Sequence, residues 1–325
     1  MKRWIRILVG IVFIIALIFL FNFANEKNLI FEQTSEFHKA NFSRESEILF
    51  VGDIMFARKI AALGEEKGLS YPFELIKERL LEADIVIANL EGPISSRGKN
   101  QGSIYSFRFK PEIVSVLKEA NIGVVSLANN HIWDWGIDAL SDTLLHLESA
   151  GVKFSGTGLN YEAANEPARF RIGKNEFAMF SFTNLYPASL EASSARAGIS
   201  DFDISLLENK IKDLKGDGVD IVIVSFHWGS EYETHSSSGE QIIARSLIDM
   251  GADLIIGHHP HVVQEIEEFK GKYIAYSLGN FIFDQNFSAD TSHGLMLSVR
   301  VKGGEIEAVE AIKVCFNELY QPFEC

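Results

Sequence analysis

Apolar residues in this chain come in short blocks, and most blocks end in the same way. Glu47-Ile48-Leu49-Phe50-Val51-Gly52 is an apolar run closed by glycine, with Asp53 next. Asp84 to Ala88 gives way to Asn89-Leu90-Glu91-Gly92-Pro93, and Ile122 to Ala128 gives way to Asn129-Asn130-His131. Val219 to Phe226 leads into His227-Trp228-Gly229, and Leu254 to Ile256 into Gly257-His258-His259-Pro260-His261. Tyr273 to Ser277 leads into Leu278-Gly279-Asn280. Runs this short, rich in Ile and Val and bounded by turn residues, predict buried strands. Val152 to Thr157 and Asn175 to Thr183 read as further strands. Between the runs, helical periodicity predicts helices over 71–83, 111–120, 137–149, 203–214 and 240–250. Pro72 and Pro111 suit first turns. Asp203 suits an N-cap, and Gly151 ends the third helix. Gly294 to Val301 and Glu305 to Val314, around Gly303-Gly304, read as a terminal β-hairpin.

This alternation predicts an α/β architecture, and strands hydrophobic on both faces require cover on both sides. No internal repeat and no Pro/Gly linker divides residues 47–314, so 47–325 reads as one domain that includes the hairpin. The chain has 325 residues, of which 47% are hydrophobic, enough for a sizeable core. Its formal net charge of -14 argues against nucleic acid as a partner, because grasping phosphates needs a basic surface. Cys315 and Cys325 could pair with each other, but a single possible bridge leaves the redox compartment open.

The N-terminus changes the picture. Lys2, Arg3 and Arg6 precede an apolar run from Ile7 to Phe21, extended weakly through Phe23 and Ala24. Its length lies between a signal-peptide core of about 7–15 residues and a spanning helix of about 20. Bulky Phe and Leu fill its end and no clean A-x-A site follows, which favours an uncleaved signal anchor over 1–24 to a cleaved signal. Residues 25–46 read as a tether. The basic residues before the span place the N-terminus in the cytoplasm and the main domain outside, on the cell membrane.

The polar groups at the strand exits are Asp53, Asn89, Glu91, Asn130, His131, His227, His259, His261 and Asn280. If the strands are neighbours in one sheet, these groups converge at one edge, where an open α/β sheet builds its sites. Carboxylate oxygen, amide oxygen and imidazole nitrogen form the mixed donor set that suits Mn, Fe or Zn. Any one member alone is more ordinarily a turn or cap residue. It is their recurrence that points to a site.

Val51-Gly52-Asp53-Ile54-Met55, Asn89-Leu90-Glu91-Gly92-Pro93 and Ala128-Asn129-Asn130-His131 with Asp134 and Gly136 resemble the CapA family. So do His227-Trp228-Gly229, Gly257 through Gln264, and Ser277-Leu278-Gly279-Asn280-Phe281. This is the poly-gamma-glutamate capsule biosynthesis family, also called PgsA, and the resemblance covers about residues 47 to 315. It implies a calcineurin-like metallophosphoesterase fold, a layered β-sandwich flanked by helices with metal at one end of the sheets. It implies Asp53, Glu91, Asn130, His227, His259 and His261 as ligands of one or two divalent ions. His131 would be the catalytic histidine, and Asp134 could orient it; His258 lies outside the closing histidine pair. Two positions depart from the superfamily pattern. Met55 stands where Asp-x-His has its histidine, and Asn89-Leu90-Glu91 replaces the motif of the bridging aspartate. A thioether does not replace imidazole for a hard divalent metal, whereas Glu91, one methylene longer than aspartate, could still bridge.

Two functions are compatible with these residues. One is metal-assisted hydrolysis or transfer on a phosphoester or a gamma-glutamyl amide. Trp133, Trp228 and Tyr232 could wall such a pocket, although packing is their commoner role. The other is a non-catalytic accessory subunit, partnered with membrane subunits of a synthase or export complex and binding an anionic polymer. A bare adhesive ectodomain would require the polar clusters to be accidental. The anchor has its own test: full-length protein should pellet with membranes after alkaline washing, and deletion of residues 1–24 should release it. Release of the full-length chain would refute the anchor.

Overall fold

A computed structural model describes residues 45–325. The anchor expected over 1–24 and nearly all of the tether expected over 25–46 lie outside the described residues. Among the described residues no helix is long and apolar enough to cross a membrane. Residues Ser46–Cys325 form one compact unit.

In chain order the strands are β1 (Ser46–Ile54), β2 (Ile85–Leu90), β3 (Ile122–Ser126), β4 (Lys153–Ser155), β5 (Thr157–Gly158), β6 (Ala168–Ile172), β7 (Asn175–Thr183) and β8 (Gly198–Ile199). They continue as β9 (Ile221–His227), β10 (Leu254–His258), β11 (Ile266–Phe269), β12 (Lys272–Ala275), β13 (Asn280–Ile282), β14 (His293–Lys302), β15 (Glu305–Phe316) and β16 (Pro322–Glu324). The helices are α1 (Arg58–Lys67), α2 (Lys77–Glu82), α3 (Ile113–Glu119), α4 (Gly136–Ala150), α5 (Tyr161–Ala164), α6 (Ile204–Gly216) and α7 (Ser238–Asp249).

The strands make two large sheets rather than one. The first runs β16-β15-β14-β1-β2-β3-β4, with β13 also paired to β1. The second runs β11-β12-β10-β9-β7-β6. In the first, β1 to β4 are parallel and the expected β14–β15 hairpin closes around Gly303-Gly304. In the second, β7, β9, β10 and β12 are parallel. Side chains alternate across each strand, and this sets the layers. Ile48, Phe50, Ile87 and Val124 of the first sheet pack against Phe177, Met179, Ile223 and Ile256 of the second. Leu49, Val51, Val86 and Val125 face the other way and pack with Ile60, Leu80, Leu117 and Leu140 from α1 to α4. Val222, Val224 and Ile255 pack with Leu207, Ile211, Ala244 and Leu247 from α6 and α7. The result is a helix-sheet-sheet-helix sandwich with cover on both sides, as the apolar strands require.

Several elements differ from the sequence expectation for physical reasons. Helix α1 escapes a periodicity search because only Ile60 and Gly64 of its residues are buried and its N-cap, Ala57, makes no side-chain cap. The helix expected over 71–83 is a 3-10 turn at Tyr71–Phe73 followed by α2, an arrangement in which Phe73, Ile76 and Leu80 are all buried. Helix α7 starts earlier than expected because Ser237 and Glu240 form a capping box. The strand expected over 273–277 stops at Ala275, and the chain then leaves the second sheet to pair β13 with β1 in the first. That crossing puts Asp53 in register with both Asn89 of β2 and Asn280 of β13.

Gly52 permits this crossing. A Cβ placed there would lie 2.0 Å from the Gly279 carbonyl oxygen. Gly52→Ala should therefore lower stability by about 1–3 kcal/mol, as overpacking does. Gly216→Ala is the control, since it meets open space at the end of α6. It should be neutral or stabilising by up to about 1 kcal/mol. Urea midpoints of the two variants report the difference, and equal midpoints would contradict the close approach.

Candidate metal centre

Asp53 is fully buried at the end of β1. Its Oδ1 accepts a hydrogen bond from Asn89 Nδ2 at 2.8 Å, and its Oδ2 accepts the His259 backbone N–H at 3.2 Å. His258 Nδ1 lies 3.2 Å from Oδ1, and His261 Nδ1 lies 3.3 Å from Oδ2. Burial alone would raise the Asp53 pKa. Hydrogen bonds and charge from His258 and His261 outweigh it and hold the carboxyl well below its ordinary value.

Glu91 follows β2 and is also fully buried. Its backbone N–H donates to Ile54 O at 2.9 Å, tying it to β1. Its Oε1 has no hydrogen-bond partner among the described residues and lies 3.7 Å from both His131 Nε2 and His261 Nε2. Burial pushes the Glu91 carboxyl well up; the charge of His261 opposes this, and Asp53 adds to it. His227, ending β9, faces Asn130 Oδ1 through Nε2 at 2.9 Å and Asn89 through Nδ1 at 3.3 Å. Burial and the neighbouring His259 hold it neutral, well below its ordinary pKa. His259 is pushed down to about 4 by burial and by His261. His261 resists burial because Glu91 and Asp53 face it, and it is raised to about 9. Its Nδ1 also meets Asn280 Oδ1 at 3.0 Å.

Asp53, Glu91 and His227 each present a ligand atom, and these lie within 4.8 Å of one another. The donor chemistry fits a divalent cation, with two carboxylates and an imidazole held neutral. A second observation agrees. Among the described residues, Glu91 Oε1 and His259 Nδ1 are buried without hydrogen-bond partners, a costly state that a bound cation would relieve. Asn89 links the parts: its Nδ2 donates to Asp53, and its Oδ1 accepts from Asn129 Nδ2 at 3.1 Å.

His131 stands beside this cluster. Its Nδ1 meets Asp134 Oδ2 at 2.7 Å, and its ring packs on Phe107 with centroids 4.1 Å apart. The Phe107 backbone N–H donates to the same Asp134 oxygen at 2.8 Å. Asp134 therefore fixes the ring and leaves Nε2 facing Glu91. A cavity of about 280 Å³ is lined by His131 and His261 together with Arg58, Phe107, Glu231 and Tyr232. A larger cavity of about 610 Å³ lies elsewhere, between α4 and β6, and includes none of these residues. The chemistry of the lining, not volume, marks the site.

Every residue named from the sequence as a ligand or catalytic group lies in this neighbourhood, but the two sheets share the task. Asp53, Glu91, Asn130, His131 and Asn280 come from the first sheet; His227, His259 and His261 follow strands of the second. His258, outside the closing histidine pair, faces Asp53. Asn129, Phe107 and Arg58 also belong to this neighbourhood, outside the strand-exit groups. The position of Asn129 beside Asn130 was a usable signal; nothing in the sequence marks Phe107 or Arg58. Of the three aromatic residues considered as walls, Tyr232 lines the cavity. Trp228 is fully buried, donating its Nε1–H to Tyr276 O at 3.0 Å, and Trp133 packs on the core. Met55 is fully buried, and its Sδ accepts the Ala57 N–H at 2.9 Å.

With this geometry in view, comparison with known proteins identifies the lineage. The bacterial capsule synthesis protein family PGA_cap matches residues 47–285. The chain belongs to that family. It is 32% identical over 263 residues to the capsule biosynthesis protein CapA of Bacillus anthracis, covering 78% of this chain and 64% of that protein. It is also 32% identical over 250 residues to the PGA biosynthesis protein CapA of Bacillus subtilis, covering 76% and 66%. It thus spans just under two thirds of these relatives' lengths. A Staphylococcus aureus protein provisionally described as a 5′-nucleotidase shares the fold, with a TM-score of 0.53 at 17% identity. That match covers 84% of this chain and 55% of the other. The fold is accordingly a mixed α/β sandwich similar to that of this neighbour.

The electrostatics of the cluster make a pH prediction for this PGA_cap family member. A ligating His261 must be neutral, and its pKa without metal is raised to about 9. Binding of Mn²⁺ or Zn²⁺ near pH 7 should therefore release protons, and affinity should fall as pH falls. The expected slope is roughly tenfold per pH unit for each proton displaced. Calorimetry in buffers of different ionisation enthalpy measures the release, and proton-neutral binding would contradict the assignment of His261.

Proposed function

We propose that the protein is a membrane-anchored, extracytoplasmic member of its family that acts in the synthesis, export or processing of poly-gamma-glutamate or a related anionic surface polymer. It would do so by metal-assisted hydrolysis or transfer. The observation that carries the reading is the meeting of Asp53, Glu91 and His227 beside the His131–Asp134 pair, of which His131 lines the cavity. Asp53, Glu91, Asn130, His227, His259 and His261 would hold one or two divalent ions. Such an ion, when bound, supplies an activated water and polarises the scissile group. The chain's own residues do the rest. Asp134 positions the His131 ring through Nδ1, which leaves Nε2 to give a proton to a leaving group. Burial keeps His227 and His259 unprotonated and therefore able to ligate. The extracytoplasmic placement draws on the basic-then-apolar N-terminus and on the Cys315–Cys325 disulfide, a bond suited to an oxidising compartment.

A second reading is favoured by Met55, whose thioether is buried where the superfamily pattern has a histidine. With that imidazole absent, the centre would hold an ion that bridges polymer carboxylates without turnover. The protein would then be an accessory subunit alongside other membrane subunits of a synthase complex.

The experiment is metal analysis of full-length protein purified without chelator, followed by His131→Ala. At least one divalent ion per chain is expected. The variant should keep its metal and lose roughly 10²–10⁴-fold of the turnover of gamma-glutamyl peptides or phosphoesters. Metal-free protein after supply of Mn, Fe and Zn would end both readings. A variant that keeps its metal and its part in polymer production would favour the accessory reading.

A further inference from the structure

We propose that Arg58 forms an anion-binding subsite at the cavity beside the metal centre and takes a carboxylate or phosphate oxygen of the bound substrate. The inference rests on the reading that this cavity receives the substrate, and it names the residue that selects for charge there.

Among the described residues lining this cavity, Arg58 is the only lysine or arginine. Its guanidinium lies 5.0 Å from the Phe107 ring centroid, 5.5 Å from that of Phe283 and 5.9 Å from that of Tyr105. Three rings around one guanidinium hold it in place by cation–π attraction and limit its rotamers. One N–H donates to Asp284 Oδ1. The other Asp284 oxygen accepts the Lys59 backbone N–H at 3.2 Å, so the charge of Asp284 is divided between Arg58 and the first turn of α1. A guanidinium has five N–H donors in a planar fork, which leaves capacity for a second acceptor. About a third of the Arg58 side chain remains exposed, whereas Asp284 is almost wholly covered.

The backbone gives independent support. Arg58 has φ of 50°, a left-handed conformation that is unfavourable for a residue with a Cβ. Among the described residues, seven non-glycines have positive φ. Four of them, Arg58, Tyr232, His259 and His261, belong to this cavity or to the donor cluster beneath it. Strain of this kind persists where the surroundings enforce it, and it gathers at functional sites. Glu231 also lines the cavity, so an anion is disfavoured elsewhere in the opening and Arg58 fixes where it can sit. Arginine suits this role because its fork matches the two oxygens of a carboxylate or phosphate.

The test is calorimetric titration of the full-length protein with a gamma-glutamyl tetramer, its fully amidated neutral counterpart, and inorganic phosphate. Arg58→Met should weaken an anionic probe roughly 10- to 100-fold, the range for hydrogen bonds to charged groups. The neutral tetramer should bind wild type and variant equally. Metal content should stay unchanged, because Arg58 lies outside the ligand set. Should the methionine variant not fold, Arg58→Gln carries the same expectation. Equal anion affinity in wild type and variant overturns the subsite, and so does an equal loss for the neutral tetramer. Failure of every anionic probe to bind wild type also overturns it. Arg58-dependent binding of phosphate without tetramer binding sustains the subsite and removes the polymer reading. Arg58-dependent binding by metal-free protein sustains the subsite and removes the metal reading.

Discussion

One buried carboxylate organises the centre of this molecule. Asp53 has no access to solvent, and an isolated charge in that position would be prohibitive. It is tolerated because donors reach it from both sheets. Asn89 approaches from the neighbouring strand of its own sheet, and the His259 N–H, His258 and His261 approach from the exit of β10 in the other. The sheets are elsewhere joined by an apolar layer of Ile, Val and Phe. At their C-terminal ends that layer gives way to a polar junction with Asp53 at its middle. The fold and the site thus share one requirement, which is that two sheets meet closely enough for one carboxylate to be served by both.

Close approach in turn depends on what is missing from particular side chains. Gly52 lets the Gly279 carbonyl come against β1, and Gly257 lets the Tyr276 carbonyl and the Trp228 indole come against β10. Without those contacts β13 could not pair with β1, and Asn280 would not stand beside Asp53. The same economy of space places His259 and His261 in left-handed backbone conformations. The turn between them aims two imidazoles and one backbone N–H at a single region. Burial then sorts the histidines electrically. Desolvation holds His227 and His259 neutral, whereas His261 faces Glu91 and Asp53, resists the same burial and is held protonated. The charge state of each ring comes from its neighbours, not from its residue type.

Much of this was legible in the chain. The apolar runs ending in Asp53, Asn89, Asn130, His227 and His259 are strands that open onto a site, because a parallel sheet collects its loops at the ends of its strands. The covered sandwich follows from strands that are apolar on both faces, and the terminal hairpin from its paired glycines. Helix α1 was not legible, since it buries too few residues to leave a periodic trace and carries no capping side chain. Its first residue, Arg58, was invisible for the same reason. The role of Asp134 could be anticipated from its spacing to His131, but not the Phe107 backbone that holds Asp134 in turn.

The order of apolar and polar residues by itself determined the strands, their cover and the list of groups available for chemistry, because alternation and turn residues act locally. It could not determine that those groups divide between two sheets, that β13 crosses from one to the other, or that His258 turns its ring toward Asp53 while the Met55 thioether accepts the Ala57 N–H. Those outcomes depend on contacts between residues some 200 positions apart, such as His259 with Asp53. Only packing of the whole domain decides such contacts, through steric fit at glycines and through the need to satisfy a buried charge.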